Sequence, residues 1–243
     1  MLVINSDTNS KFKLVKALLA DKKARDQEGL FVLEFPKAIA EIDPGQIQFV
    51  VATGEDQTTK FSPYIEKHYF AEKLFHKLSD TKTPQGVLAV VKQPRYSLTD
   101  IKDGVLVVLD GVQDPGNVGT IIRTAAAFEC AGVAFTKDTV DPFSPKVVRA
   151  SAGSIMQIPI IKLDNAKELK KNGYFLIVTD SEQGKDLKIM QLAKRCAMVF
   201  GSEGSGVSKE YVKIADEFIR IIHSKKVESL NVAVSAGIIL SRI

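Results

Sequence analysis

Apolar residues in the first ninety positions come in short runs separated by polar stretches with helical spacing. FVLE (31–34), IQFVVAT (47–53) and GVLAVV (86–91) read as strands, and 37–42, 62–68 and 72–77 as helical or turn-like connections. Phe12, Val15, Leu18 and Leu19 recur at helical spacing, so residues 11–25 predict one amphipathic helix. These elements make a small α/β unit. The polar run KQPRYSLTDIKDG (92–104), with Pro94 and Gly104, reads as a linker. The expected division is therefore a domain over 1–95, a linker over 96–104 and a second domain over 105–243.

The second half alternates more regularly. VLVVL (105–109) is fully apolar and rich in β-branched residues, as in a parallel strand buried on both faces. A loop, DGVQDPGN, follows it, and a helix is predicted from Val118. Apolar runs return at 133–135, 158–161, 174–179, 197–200 and 218–222, with helical stretches between several of them. This βαβ alternation predicts a parallel sheet covered by helices. The segment SLNVAVSAGIIL (229–240) reads as a helix apolar nearly all round, with Ala233, Ala236 and Gly237 allowing close approach. Such a helix needs burial on every side, which a subunit interface can supply.

With 45% hydrophobic and 26% charged residues, the chain is too apolar for disorder. No apolar run approaches the roughly 18–20 residues that span a bilayer, and MLVINSDTNSKFK lacks the layout of a secretory signal, so no membrane association and no export are expected. Cys130 and Cys196 each lie in an apolar stretch. Neither a disulfide framework nor a metal site is expected, which fits a cytoplasmic protein. The net charge, 33 − 29 = +4, decides little by itself. Its distribution says more, because Lys11, Lys13, Lys16, Lys22, Lys23 and Arg25 face a single Asp21. That face is either solvated or a phosphate-contacting surface.

Three loops after apolar strands carry candidate chemistry. In DPGNVGTIIRTAAAF (114–128), Asn117 reads as an N-cap, and Val118, Ile121, Ile122, Ala125 and Phe128 form a core stripe. Arg123 points nearly opposite, either as a surface residue or as a bidentate anion contact. VFGSEGSGVS (199–208) places Gly201, Gly204 and Gly206 at a strand end, where backbone amides can hold a ligand. It is neither a P-loop nor GxGxxG, and Glu203 within it has no packing reason. In KKVESLNVAVSAG (225–237), Ser229 and Asn231 either cap the apolar helix or line a site.

Together these loops resemble motifs one, two and three of the SpoU/TrmH family of RNA ribose 2'-O-methyltransferases, in the SPOUT superfamily. DPFSPKVVRASAGSIMQIPI (141–160) is similar to the family's connecting segment. KFKLVKALLADKKARDQEGLFVLEFPKAIAE (11–41) is similar to its substrate-binding domain, a small α/β module like certain ribosomal proteins. The resemblance implies a Rossmann-like parallel sheet whose C-terminal segment is threaded as a trefoil knot. It also implies a homodimer packed through that region, S-adenosylmethionine as cofactor and RNA as substrate, ribosomal rather than transfer RNA.

Carried over position by position, the resemblance places Gly201, Ser202, Glu203, Gly204, Ile221, Leu230 and Asn231 around the cofactor. It places Asn117, Arg123, Glu203, Ser229 and Asn231 at the reaction centre. Lys11, Lys16, Lys22, Lys23 and Arg123 would contact RNA. Four residues depart from the family pattern. Phe35 stands where glycine is usual, Ser202 replaces a common asparagine, and Ile222 with His223 stands where Pro-Met is usual, which implies a cofactor loop of different shape. Three other readings stay open: a transfer RNA methyltransferase, an RNA-binding protein without catalysis, and a small-molecule enzyme with a nucleotide-like cofactor.

Overall fold

The computed structural model describes residues 2–78, 85–181, 183–189, 192–224 and 226–243. The chain parts into two compact units, Met1–Gln93 with Phe143–Met156, and Pro94–Pro142 with Gln157–Ile243. The first unit contains β1 (Val3–Ile4), α1 (Ser10–Ala20), α2 (Lys22–Glu28), β2 (Leu30–Leu33), α3 (Pro36–Glu41), β3 (Ile47–Ala52), β4 (Lys67–Phe70), α4 (Glu72–Phe75) and β5 (Val87–Lys92). Its sheet runs β1-β4-β3-β5-β2, with β1 and β3 parallel to β4, and β5 antiparallel to β3 and β2.

Phe12, Val15 and Leu18 of α1 are buried in one core with Val32, Phe49, Val51 and Phe70. The single helix expected over 11–25 is broken at Asp21, whose carboxylate accepts the Lys23 amide at 2.9 Å and caps α2. Arg25 leaves the basic face altogether. It is 5% exposed and donates to the Leu18 carbonyl at 2.6 Å. β4 begins inside the stretch 62–68 that read as helical or turn-like. Its Lys67, His68 and Tyr69 are only half-buried, so the strand carries little apolar signal.

The second unit is built from β6 (Gly104–Asp110), α5 (Pro115–Ala127) and β7 (Gly132–Phe135). The chain next contributes α6 (Pro145–Ala150) to the first unit. There Arg149 pairs with Glu34 at 3.2 Å and Phe143 lies against Phe31 with ring centroids 5.1 Å apart. The second unit continues with β8 (Ile160–Lys162), α7 (Lys167–Lys171), β9 (Phe175–Thr179), β10 (Lys185–Asp186), β11 (Arg195–Gly201), α8 (Lys209–Ile214), β12 (Glu217–Arg220) and α9 (Val232–Leu240). Its sheet runs β10-β12-β9-β11-β6-β7-β8, with every pairing parallel. β6 is buried along nearly its whole length, the condition its unbroken apolar run predicts.

Most of the polar stretch 92–104 is no free tether. Ser97 and Asp100 close a capping box, and Leu98 and Ile101 are buried in the second unit's core. Arg195 donates to the Leu98 and Ile101 carbonyls at 3.0 Å each, and its guanidinium lies 4.3 Å over the Tyr174 ring. Two buried apolar side chains and two satisfied carbonyls outweigh the polarity of the run. Cys130 and Cys196 are free and buried, and burial pushes their thiols up to about 12 and about 11. Among the described residues, no helix is long and apolar enough to cross a membrane.

Candidate active site

From β6 the chain adds β7 and β8 on one side, while β11, β9 and β12 lie on the other. The strand order therefore reverses at β6 and β11. Such a reversal leaves a crevice at the carboxyl ends of parallel strands, the usual ligand position in open α/β sheets. The loops after β6 and β11 flank it.

α5 begins at Pro115, earlier than the predicted Val118, and Asp114 rather than Asn117 is its N-cap, accepting the Asn117 amide at 2.8 Å. A proline at the first position suits that geometry because its missing N–H would be unpaired there anyway. The Asn117 side chain is thereby released for other partners. Its Nδ2 donates to Glu203 Oε1, and its Oδ1 accepts from Asn231 Nδ2 at 3.0 Å. Asn231 Oδ1 in turn accepts the Ala233 and Val234 amides at 2.9 and 3.2 Å, so Asn231 caps α9. Both ends of the Asn117 carboxamide are engaged, which fixes its orientation. Ser229, two residues earlier, does not cap the helix.

β11 ends at Gly201, and the loop folds back on itself at once. Ser202 and Gly206 exchange backbone hydrogen bonds at 3.2 and 3.0 Å. A Cβ on Gly201 would stand 2.1 Å from the Gly206 carbonyl carbon. This glycine is required by the loop's own backbone, not only by space for a ligand. The Ser208 amide donates to Asp110 Oδ2 at 2.7 Å, which ties the loop to the end of β6.

Beside this loop lies a cavity of about 280 Å³. Gly201, Ser202, Glu203 and Gly204 line one side, and Ile221, Ser229 and Leu230 another. Thr179, Asp180 and Ser181, at the end of β9, complete it with His223 and Ser235. Of these last five, His223 was named from sequence only as a departure in the cofactor loop, and the other four were not singled out. The available signal was a polar Thr-Asp-Ser directly after the apolar run of β9, the pattern already used for the three loops. Asp180 and Glu203 put two carboxylates on the wall, and no lysine or arginine is among the described lining residues.

Ile221 lies just past β12, and its carbonyl contacts His223 Nδ1 at 2.9 Å. Ile222 points outward at 64% exposure. Lys225, the first residue of the third motif run, lies outside the described residues.

Arg123 is not joined to the Glu203–Asn117–Asn231 chain. It is exposed and stands six residues beyond Asn117, about 9 Å along the helix axis. Phe128 is 41% exposed and so leaves the expected core stripe. In the first unit, Lys16, Lys22 and Lys23 are exposed. Lys11 is instead paired with Glu66 at 3.3 Å and lies 4.3 Å over the Phe49 ring. Phe35 has ordinary extended backbone, with φ −102 and ψ 105.

The SpoU rRNA Methylase family profile matches residues 104–241, and an MRM3-like substrate binding domain profile matches residues 9–89. The 23S rRNA (guanosine(2553)-2'-O)-methyltransferase RlmP of Bacillus subtilis is 30% identical, over 99% of this chain and 98% of RlmP. An uncharacterized tRNA/rRNA methyltransferase of Synechocystis is 34% identical over 72% of this chain, which covers 66% of that relative's length. The crystal structure of an AdoMet-bound rRNA methyltransferase from Sinorhizobium meliloti superposes with a TM-score of 0.88. It is 30% identical over 99% of this chain and 96% of that one.

Proposed function

The chain belongs to the SpoU rRNA Methylase family, and on that premise we propose that it methylates a ribose 2'-hydroxyl in ribosomal RNA using S-adenosylmethionine. The observation that carries this reading is the cavity at the strand ends, walled by two carboxylates and bordered by the Glu203–Asn117–Asn231 chain. A sulfonium cofactor is cationic, and the wall suits it. Gly201, Ser202, Gly204, Ile221 and Leu230 would hold it, with Glu203 completing the enclosure, whereas Asn231, expected from the sequence beside the cofactor, does not line the cavity and reaches it only through Asn117 and Glu203. Bound there, it supplies an electrophilic methyl group with a good leaving group already in place.

The protein's task is then alignment and a more nucleophilic oxygen. Asn117, locked between Glu203 and Asn231, holds the Glu203 carboxylate in place to orient the ribose, and Ser229 offers a hydroxyl in the same cavity. Arg123 anchors the adjacent phosphate and stabilises developing alkoxide. It does not accept the proton, because a guanidinium carries only hydrogen-bond donors and no acceptor. The lysines of α1 and α2 contribute salt-dependent phosphate affinity.

The same reading includes a homodimer, a trefoil knot and a cytoplasmic location. The dimer is supported by α9, which packs against α5 yet leaves Val234 51% and Ile238 38% exposed, four residues apart on one face. Ile238→Asp is expected to keep the fold and sediment as a monomer. An unchanged mass in analytical ultracentrifugation would overturn the dimer. The knot is supported by the path of the chain. β12 pairs outside β9, yet α9 packs on α5 and β11, an arrangement that a threaded C-terminal segment would produce. In that segment Gly184, at φ +111, approaches β12 so closely that a Cβ would stand 2.6 Å from the Phe218 carbonyl. Connection rules disfavour knots outside a few folds, and this would be one.

The experiment for the activity has two arms. Calorimetry of purified protein with S-adenosylmethionine is expected to show one site per chain. Mapping of ribose methyls in ribosomal RNA from cells with and without the gene is expected to show the loss of a methyl. Absence of cofactor binding would overturn the reading.

A further inference from the structure

The first unit has a cavity of its own, of about 590 Å³, set between α3 and the segment that follows β3. Phe61, 6% exposed, forms part of its apolar wall with the half-buried ring of Phe35, and with Pro36 and Ala40. Lys37 and Lys60 line it too, both exposed and neither in an ion pair among the described residues. Aromatic carbon with free ammonium groups beside it is the combination that receives a base and its phosphate. The exposed Glu41 carboxylate adds an acceptor for the amino group of a base.

We propose that this cavity receives an unpaired nucleotide of the RNA substrate, with the base against Phe35 and Phe61 and the phosphate at Lys37 and Lys60. The inference rests on the RNA reading above and concerns a place remote in sequence from the three motifs. A base paired inside an A-form duplex cannot enter a cavity, whereas an unpaired base can turn out and stack on an aromatic ring. The cavity therefore selects single-stranded or looped RNA. Lys16, Lys22 and Lys23, exposed on helices of the same unit, carry no such preference, because they meet only the backbone charge that every RNA presents.

The test is fluorescence anisotropy of the full chain with a short fluorescein-labelled RNA, presented single-stranded and as a duplex. Phe35→Ala removes a stacking surface. Ala40→Trp, at an exposed helical position, fills the cavity without changing charge. Each is expected to lower single-strand affinity roughly tenfold, the scale of one lost base–aromatic stack, with duplex affinity unchanged. Lys37→Gln with Lys60→Gln is expected to lower the salt slope of single-strand binding by about 0.7, for the one phosphate the two ammonium groups share. Calorimetry with S-adenosylmethionine and circular dichroism on the same variants should match the wild type, which separates a lost RNA contact from a lost fold. If Phe35→Ala and Ala40→Trp bind single strands as the wild type does, the cavity proposal is overturned and the RNA reading stands. If the wild type binds neither form, the RNA reading itself falls.

Discussion

Arg123→Ala is expected to slow methyl transfer by about a hundred- to a thousandfold, the usual loss when one preorganised electrostatic group is removed from a reaction centre. Cofactor affinity should stay near the wild-type value, because Arg123 does not line the cavity. Stability should change little. The side chain is exposed and makes no hydrogen bond or ion pair among the described residues, so its removal opens no void and orphans no partner. Arg123→Lys should recover little of the rate, since an ammonium is a point charge and cannot reproduce the two-pronged contact of a guanidinium with a phosphate. Single-turnover transfer to the target RNA at saturating cofactor is the measurement. A near-normal rate for Arg123→Ala would return this residue to the ordinary solvated surface. The same assay on Glu203→Gln and Asn117→Ala would show whether the hydrogen-bonded chain acts as a unit, in which case the single losses will not add.

Gly201→Val is expected to weaken S-adenosylmethionine binding by more than about a hundredfold, through the loop rather than through direct occlusion. A Cβ at this position would lie 2.1 Å from the Gly206 carbonyl carbon and 2.3 Å from both the Gly206 oxygen and the Val207 nitrogen. No rotamer relieves a clash with backbone. The Ser202–Gly206 pairing must open, and with it the stretch that carries Glu203 to Asn117. Gly204→Ala is the companion variant, because a Cβ there meets nothing within 4 Å. It should fold and melt like the wild type, whereas Gly201→Val should also lose thermal stability. Calorimetry for the cofactor and a thermal melt decide the matter together. A Gly201→Val protein that binds the cofactor normally would show that the loop tolerates opening and that the cavity is not the cofactor site.

Several elements were legible because their signal is local. The unbroken apolar run 105–109 can be satisfied only by burial on both faces, and it lies in the middle of the parallel sheet. The glycine loop, the Asn117 turn and the start of α9 were found because they follow apolar strands, and side-chain bonds do link Glu203, Asn117 and Asn231. β4 was missed because its residues are half-buried and polar, so alternation is weak. The break at Asp21 was missed because the apolar spacing runs smoothly up to it. A side-chain cap decides where α2 starts, and periodicity does not register caps.

Residue patterning alone indicated the α/β class of each half and singled out three loops whose Asn117, Glu203 and Asn231 side chains prove to be hydrogen-bonded. These properties depend on spacing along the chain, and spacing is what burial of one face demands. Tertiary structure decided the rest. It made Asp114 rather than Asn117 the cap of α5, and so freed a carboxamide to bridge two loops 86 and 114 residues away. It brought Asp180 and His223 into the cavity, drew 143–156 into the first unit, and packed Leu98 and Ile101 out of a stretch that reads as a tether. For the bridging carboxamide and the cavity wall the physical reason is the same. A polar side chain's partner is set by which strand ends lie side by side, and that order, β12 outside β9 and β11 beside β6, is a property of the assembled sheet that no local window contains.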